Sequence, residues 1–111
     1  MKLAGAGRVR IDETKVRGYL LSPSHPVGRF KARVFAALGF TQATAELFIQ
    51  ETRRIGVTGD VQTVEDTEYR RKYTVPGGLQ GPTGQARVLT VWFQEPGEPQ
   101  VRLVSVRPRS R

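Results

Sequence analysis

Cysteine is absent from this sequence of 111 residues, and its absence excludes disulfides, thiolate metal sites and a cysteine nucleophile. A chain without cysteine suits a reducing compartment, so we expect a cytoplasmic protein. Histidine occurs only once, at His25, which leaves no nitrogen cluster for a metal ion, and neither a metal nor another cofactor is expected. No apolar run approaches the roughly 20 residues of a membrane-spanning helix, so no membrane partner is expected.

Acidic residues are scarce relative to basic ones. Eighteen lysines and arginines stand against ten aspartates and glutamates, which gives a formal net charge of +8. Arginine suits phosphate because its planar guanidinium donates two parallel hydrogen bonds. The excess therefore predicts a polyanionic partner, with RNA as the expected one. The alternative is a solvated basic surface that only keeps the protein soluble.

The length of the chain fits one domain, and no internal repeat or long linker divides it. Residues 1–11 are predicted to form a flexible basic arm, residues 12–108 a single α+β domain and residues 109–111 a basic tail. Phosphate-binding loops of the types G-x-x-x-x-G-K-[ST] and G-x-G-x-x-G are missing, which removes support for nucleoside triphosphatases and dinucleotide-dependent enzymes.

The hydrophobic period changes from helical to alternating in the middle of the chain. Asp12 is a predicted N-cap for the first helix, and Gly39 and Gly56 are predicted to end the other two. The predicted helices span 13–21, 27–38 and 42–55, and the predicted strands span 60–64, 68–75, 85–93 and 100–107. The fold class is therefore predicted as α+β, with three N-terminal helices packed on a four-stranded antiparallel sheet and the opposite sheet face open to a ligand.

The loop before the second helix contains the first group of candidate site residues. His25 lies between two prolines, where a histidine can exchange protons near neutral pH, although it can also be an exposed residue that only tolerates the turn. Lys31 falls on the apolar arc of the predicted helix and in its first turn, where a cation opposes the helix dipole. With Arg29 it is predicted to bind phosphate, or else its stem covers the edge of the core.

Basic residues stand next to an aromatic residue in the second predicted strand. Arg70, Arg71 and Lys72 are followed by Tyr73, a combination that suits RNA, where rings stack on bases and cations meet phosphates. The alternative is two tyrosines, Tyr69 and Tyr73, in the core beside a solvated basic edge. In the last strand, strict alternation groups Leu103, Ser105 and Arg107 on one face and Arg102, Val104 and Val106 on the other. Both arginines are candidate phosphate ligands, and Ser105 is a candidate active-site residue or a plain polar surface residue.

A larger set of residues carries a family resemblance. It comprises the string Tyr19-Leu20-Leu21-x-Pro23-x-His25-Pro26-x-Gly28-x-x-Lys31-Ala32-x-x-Phe35, then Leu38-Gly39-Phe40-Thr41, Thr67-x-Tyr69-x-x-Lys72-Tyr73, Gly81-Pro82-x-Gly84, Val91-Trp92 and the final run Arg102 to Pro108. Together these motifs resemble an uncharacterised family of small bacterial domains of unknown function. Members of that family occur alone or as C-terminal modules of large polymorphic-toxin-like proteins.

The resemblance implies more than the composition does. The layout of the family resembles the barnase–EndoU–colicin–RelE ribonuclease fold, and this analogy makes the active-site candidates His25, Lys31, Lys72, Tyr73 and Ser105. The chain departs from the family pattern at its last strand, where Arg107 stands in place of the usual tyrosine. A toxin module of this kind would have an acidic antitoxin or immunity protein as its partner.

Three functions follow from these observations. The first is cleavage of RNA without a metal, in a toxin-like domain where His25 acts as acid or base and Lys31 and Lys72 stabilise charge on the phosphate. The second is a non-catalytic basic module that binds nucleic acid or an acidic protein. The third is a structural domain whose charge only sets its solubility.

Overall fold

The computed structural model describes residues 1–5 and 7–109, so the predicted tail lies outside the described residues beyond Arg109. The chain begins with a 3-10 turn at Leu3–Gly5 and continues through the elements named here in chain order. They are β1 (Arg8–Arg10), α1 (Glu13–Lys15) with a π-helical continuation (Val16–Leu20), α2 (Arg29–Ala37), a 3-10 turn (Gln42–Thr44), α3 (Ala45–Thr58), β2 (Thr63–Asp66), β3 (Arg71–Gly81), β4 (Gly84–Gln94) and β5 (Gln100–Pro108).

The sheet has five strands in the order β1-β5-β4-β3-β2. Strands β2 to β5 form an antiparallel meander, whereas β1 lies parallel to β5 at the edge. The α+β class is thus confirmed, but the predicted four-stranded antiparallel sheet is wrong. The extra strand comes from the predicted arm, because Leu3 is fully buried and Arg8 N donates to Pro99 O at 2.8 Å, which brings the segment against β5.

Local side-chain and backbone interactions account for the start of α1 and the end of α2. The Asp12 carboxylate accepts hydrogen bonds from the backbone N–H groups of Thr14 and Lys15, which confirms it as the N-cap of α1. Gly39 follows α2 with a φ of +96°, a conformation that glycine adopts without strain. Gly56 does not end a helix, since α3 continues to Thr58.

The core lies between the helices and one face of the sheet. Trp92 on β4 is fully buried, and its indole lies so close to Gly56 that a Cβ there would come within 2.6 Å of the ring. The indole N–H donates to Thr90 Oγ1 at 2.8 Å, so the buried ring keeps a hydrogen-bond partner. Since Gly56 lies in α3, the ring packs against this helix. Val16, Phe35 and Phe48 from the helical segments join the same core.

A β-bulge in β5 decides which side chains face away from the core. Val91 on β4 pairs with Ser105 and Trp92 pairs with Leu103, so Val104 is an inserted residue. Strict alternation predicts Leu103 on the same face as Ser105, and this prediction is wrong because the bulge reverses the phase. The bulge places Arg102, Ser105 and Arg107 together on the face opposite the core.

Candidate nucleic-acid interface

The sheet face opposite the core is strongly basic, and we call it the open face. Register and alternation assign side chains to it from every strand. Its members include Arg8, Arg10, Thr63, Glu65, Lys72, Thr74, Arg87, Leu89, Val91, Phe93, Arg102, Ser105 and Arg107. Six of these are cations and one is a carboxylate, and all except Val91 are at least partly exposed. The open face therefore presents a positive surface about five strands wide.

One row of paired residues crosses the whole sheet. Arg10 lies opposite Arg102, Arg102 opposite Phe93, Phe93 opposite Lys72, and Lys72 opposite Glu65. Because neighbouring strands are about 4.8 Å apart, the row extends over roughly 19 Å. An aromatic ring between cations at this spacing is an arrangement that suits bases and phosphates of a single strand.

Phe93 is the aromatic centre of this row. The guanidinium carbon of Arg70 lies 4.8 Å from the ring centroid, and that of Arg102 lies 5.5 Å from it. Arg70 is held by a compact turn in which Thr67 Oγ1 accepts hydrogen bonds from the backbone N–H groups of Tyr69 and Arg70. Arg102 NH2 donates to Glu95 Oε1 at 2.9 Å, which fixes its guanidinium beside the ring.

Two clefts flank this arginine–phenylalanine group. The larger has a volume of about 440 Å³ and includes Arg70, Arg71 and Glu95 in its lining. The smaller, of about 220 Å³, is lined by residues that include Arg10, Phe93 and Arg102. Both clefts contain charges of both signs, so each can receive a polar group such as a phosphate or a base edge.

Lys31 and Ser105 are brought together at the margin of the open face. Lys31 Nζ donates to Ser105 Oγ at 3.3 Å, across 74 residues of sequence. Burial and the neighbouring Arg107 both lower the pKa of Lys31 below its usual value. At the other end of β5, burial and the neighbouring Arg102 lower the pKa of Lys15, although Asp12 acts in the opposite direction. Cations thus crowd β5 at both ends, and the fold leaves part of their repulsion uncompensated.

His25 has a defined structural position before α2. Its Nδ1 accepts hydrogen bonds from the backbone N–H groups of Val27 and Gly28, each at 3.1 Å. The ring also packs edge-on against Tyr19, with 4.8 Å between centroids. Because Nδ1 acts as an acceptor, the neutral ring has its proton on Nε2. In this state the histidine caps the turn that leads into α2.

The remaining candidates of β3 point in different directions. Tyr73 is fully buried on the core side, and its hydroxyl donates to Gln94 Oε1 at 3.1 Å. Arg71 pairs with Asp66 across the β2–β3 ladder, and this carboxylate raises the pKa of the guanidinium. Lys72 projects from the open face, two strands away from Ser105 and two residues further along its strand, a separation of about 12 Å. Of these three residues, Lys72 is the one on the face that carries the other cations.

Arg29 lies on a separate surface at the start of α2. Its guanidinium carbon is 4.9 Å from the ring centroid of Phe30, and that of Arg33 is 5.9 Å from it. Phe30 is 58% exposed, and Val34 one turn later is 39% exposed. This stretch is an apolar stripe with arginines beside it, and it is distinct from the row through Phe93.

The sequence missed several members of the open face. Phe93, Arg8, Arg10, Arg87 and Glu95 were not candidates. Phe93 stands one residue after Trp92, and alternation alone puts these two aromatics on opposite faces of a strand. That signal was available, whereas the pairing of β1 with β5 has no short-range signature.

Two searches of the described residues gave negative results. Within residues 1–5 and 7–109, no group of three or more histidine, cysteine, aspartate or glutamate side chains could hold a metal ion. In the same part of the chain, no helix is both long and apolar enough to cross a membrane.

Comparison with known proteins identifies a family but no characterised relative. A family model described as Domain of unknown function (DUF6883) matches residues 2–110. Searches of the curated proteins and of the solved structures found no match.

Proposed function

The chain belongs to this family of domains of unknown function, and we propose that it binds RNA through its open face. The observation that carries the proposal is the row Arg10–Arg102–Phe93–Lys72, which lines up three cations and an aromatic ring on four neighbouring strands. Single-stranded RNA exposes its bases for stacking and its phosphates for pairing with cations. Both of these interactions are available along the row.

The crowding of cations supports the same proposal. Lys15 and Lys31 have lowered pKa values partly because Arg102 and Arg107 are close to them. A polyanion at this surface would remove that repulsion and would gain favourable contacts with the same side chains. The third hypothesis, a charge that only sets solubility, does not explain why cations line up with an aromatic ring across four neighbouring strands.

The test of the RNA-binding proposal compares two substitutions that change the charge equally. Arg107→Gln removes a cation from the open face, whereas Arg53→Gln removes one from the exposed side of α3. We expect Arg107→Gln to weaken binding of a fluorescent single-stranded oligoribonucleotide by roughly threefold to tenfold at low salt, and Arg53→Gln to have little effect. Equal losses in both variants would show that only total charge matters and would overturn the proposal.

Cleavage of RNA is a second candidate function, favoured by the contact between Lys31 and Ser105. In the reaction proposed, a general base, the role predicted for His25, removes the proton of a ribose 2′-hydroxyl and returns it to the leaving group, while the 2′-oxygen attacks the adjacent phosphorus. The 5′-oxygen of the next nucleotide then leaves with a proton, and a 2′,3′-cyclic phosphate remains. Lys31 and Arg107 would stabilise the charge that accumulates on the phosphate oxygens. Ser105, which accepts a hydrogen bond from Lys31, would hold the ammonium group in position. Tyr73 has no part in this proposal because it is buried on the other side of the sheet.

The cleavage proposal is tested by the products. An oligoribonucleotide incubated with the protein should give fragments ending in 2′,3′-cyclic phosphate, and Lys31→Met should lower the rate by roughly 10²-fold or more. Chelators should leave the rate unchanged. Intact RNA after prolonged incubation with the wild type would reject cleavage and leave the binding function in place.

The toxin-module resemblance extends the proposal to a partner. An acidic antitoxin or immunity protein would meet the basic open face by charge complementarity, or the α2 surface where Phe30 and Val34 are exposed beside Arg29 and Arg33. Expression of the chain alone should arrest growth with decay of RNA, and co-expression with the product of a neighbouring gene should relieve it. Normal growth with the chain expressed alone would contradict the toxin proposal.

A further inference from the structure

A carboxylate already occupies the place between the two arginines of the open face. Glu95 Oε1 accepts a hydrogen bond from Arg102 NH2 at 2.9 Å, and Glu95 Oε2 lies 3.9 Å from Arg70 Nε. Both guanidinium groups also contact the ring of Phe93. An anion with two oxygens therefore bridges two cations that both contact one aromatic side chain, which is the arrangement that an RNA phosphate would need.

The position of Glu95 relative to the clefts points to the same role. Glu95 and Glu98 both line the 440 Å³ cleft and the 220 Å³ cleft, so both stand at the boundary between them, and of the two only Glu95 is paired with Arg70 and Arg102. A strand of RNA that runs along the open face from one cleft to the other would have to pass this carboxylate. The negative charge would repel a phosphate there unless the two exchanged places.

We propose that Glu95 is an internal competitor that holds Arg70 and Arg102 in a phosphate-binding arrangement and is displaced by a phosphate of bound RNA. This inference rests on the proposed function of the open face. It assigns one phosphate-binding position, formed by Arg70 and Arg102. It also implies that Glu95 lowers the affinity of this position for anions that cannot replace its carboxylate.

The exchange is physically feasible because the existing ion pairs are weak. The side chains of both arginines are 40% exposed and that of Glu95 is 36% exposed, so water screens their attraction. An RNA phosphodiester carries one negative charge shared by two non-bridging oxygens, as a carboxylate does, so it can occupy the same place between the two guanidinium groups. Phe93 continues to support the guanidinium groups during the exchange, so their geometry is retained.

The turn that carries Glu95 does not depend on its carboxylate. Glu98 N donates to the backbone oxygen of Glu95 at 3.1 Å, and Gln94 Nε2 donates to the backbone oxygen of Glu98 at 3.1 Å. Gly97, with a φ of +78°, completes the turn. Replacing the Glu95 carboxylate by an amide should therefore release the arginines and leave the turn folded.

Glu95→Gln and Glu98→Gln form a matched pair for the test. Both remove one negative charge from the same turn, but only Glu95 is paired with Arg102. The probe is a fluorescent single-stranded oligouridylate, titrated with the full chain at about 50 mM and about 200 mM salt. We expect Glu95→Gln to bind roughly threefold to tenfold more tightly than Glu98→Gln at the lower salt. In an Arg102→Met background the advantage of Glu95→Gln should disappear.

The outcomes separate this inference from the function on which it rests. Equal affinities of Glu95→Gln and Glu98→Gln, with the wild type binding RNA, would overturn the competitor role alone. A gain that persists in the Arg102→Met background would also overturn it, since the effect would then be one of general charge. Failure of the wild type and of all variants to bind at low salt would overturn both proposals. Circular dichroism of each variant establishes that the fold is intact.

Discussion

His25 positions the start of α2, because its ring accepts hydrogen bonds from two backbone N–H groups. His25 stands where the loop enters α2, and its Nδ1 satisfies the N–H groups of Val27 and Gly28, which precede the first turn of the helix. The sequence marks this residue for its chemistry, because it is the single histidine. The structure adds a second reason for a histidine at this position, which is the cap.

The cap predicts different results for two substitutions of His25. His25→Ala removes the acceptor and should lower the free energy of unfolding by about 0.5–2 kcal/mol. His25→Asn should lose much less, since its Oδ1 stands close to where Nδ1 stood. Urea unfolding of the three proteins measures this. If the wild type cleaves RNA, the same variants test the role of Nε2. Cleavage should fail in both variants when Nε2 takes part in the reaction. It should survive in His25→Asn when the histidine acts only as the cap.

Lys31 is a cation that the fold holds at a cost. Burial and Arg107 lower its pKa from the usual 10.5, so the unfolded chain binds more protons than the folded chain between the lowered pKa and 10.5. The stability lost to this charge at neutral pH is therefore recovered as the pH rises through that window. A negatively charged ligand beside Lys31 would offset this cost.

Lys31→Met should separate these two effects. At pH 7 the variant should be slightly more stable than the wild type, by less than about 1 kcal/mol because solvent screens the half-buried ammonium group. The difference should shrink as the pH approaches 10.5, while affinity for RNA falls in the variant at neutral pH. Urea unfolding at several pH values tests the sign. A variant less stable at pH 7 would mean that the lysine stem and its bond to Ser105 outweigh the unfavourable charge.

At the scale of elements, the sequence predicts what local chemistry controls. Asp12 caps α1, Gly39 follows α2 with a positive φ, and the strands β4 and β5 fall close to their predicted spans because turn residues separate them. Strand β3 runs six residues past its predicted end, through Pro76, which lies beyond the four residues that pair with β2.

The errors arise where distant parts of the chain decide the outcome. Strand β1 has three residues, and its partner β5 begins 90 residues later, so nothing in the local pattern distinguishes it from an arm. The bulge at Val104 inserts one residue into β5, and a period of two counted along the sequence cannot detect it. These two features complete the open face. The first adds Arg10, and the second places Ser105 and Arg107 on the same face as Arg102.

The incorporation of the N-terminal segment leads to a stability prediction. Leu3 is fully buried in the core, whereas Val27 is 66% exposed in the loop before α2. Leu3→Ala should lower the free energy of unfolding by about 2–5 kcal/mol, the usual cost of a truncated core leucine. Val27→Ala should change it by about 0.5 kcal/mol or less. Thermal or urea unfolding of both variants checks this, and equal small effects would mean that the N-terminal segment is not part of the folded core in solution.

At the scale of the whole molecule, the sheet separates an apolar core from a basic surface. The helices cover one face and bury the apolar side chains, while six cations from four strands, β1, β3, β4 and β5, project from the other. Such separation creates a surface potential that attracts a polyanion from a distance and orients it before contact. The row through Phe93 lies on this same face, so the exposed aromatic ring and the cations are close together.

This arrangement predicts how binding to RNA depends on salt. If about four cations of the open face neutralise phosphates, log K should fall with a slope of about −3 against log salt concentration, which is roughly fiftyfold between 50 and 200 mM. Fluorescence anisotropy with a single-stranded oligoribonucleotide measures the slope. Arg107→Gln should reduce its magnitude by about 0.7, because one counterion fewer is released, and Arg53→Gln should leave it unchanged. A flat response would exclude phosphate contacts as the source of affinity. A steep slope that Arg53→Gln and Arg107→Gln reduce equally would mean that RNA contacts the helical side as well, and the assignment of binding to the open face would then be wrong.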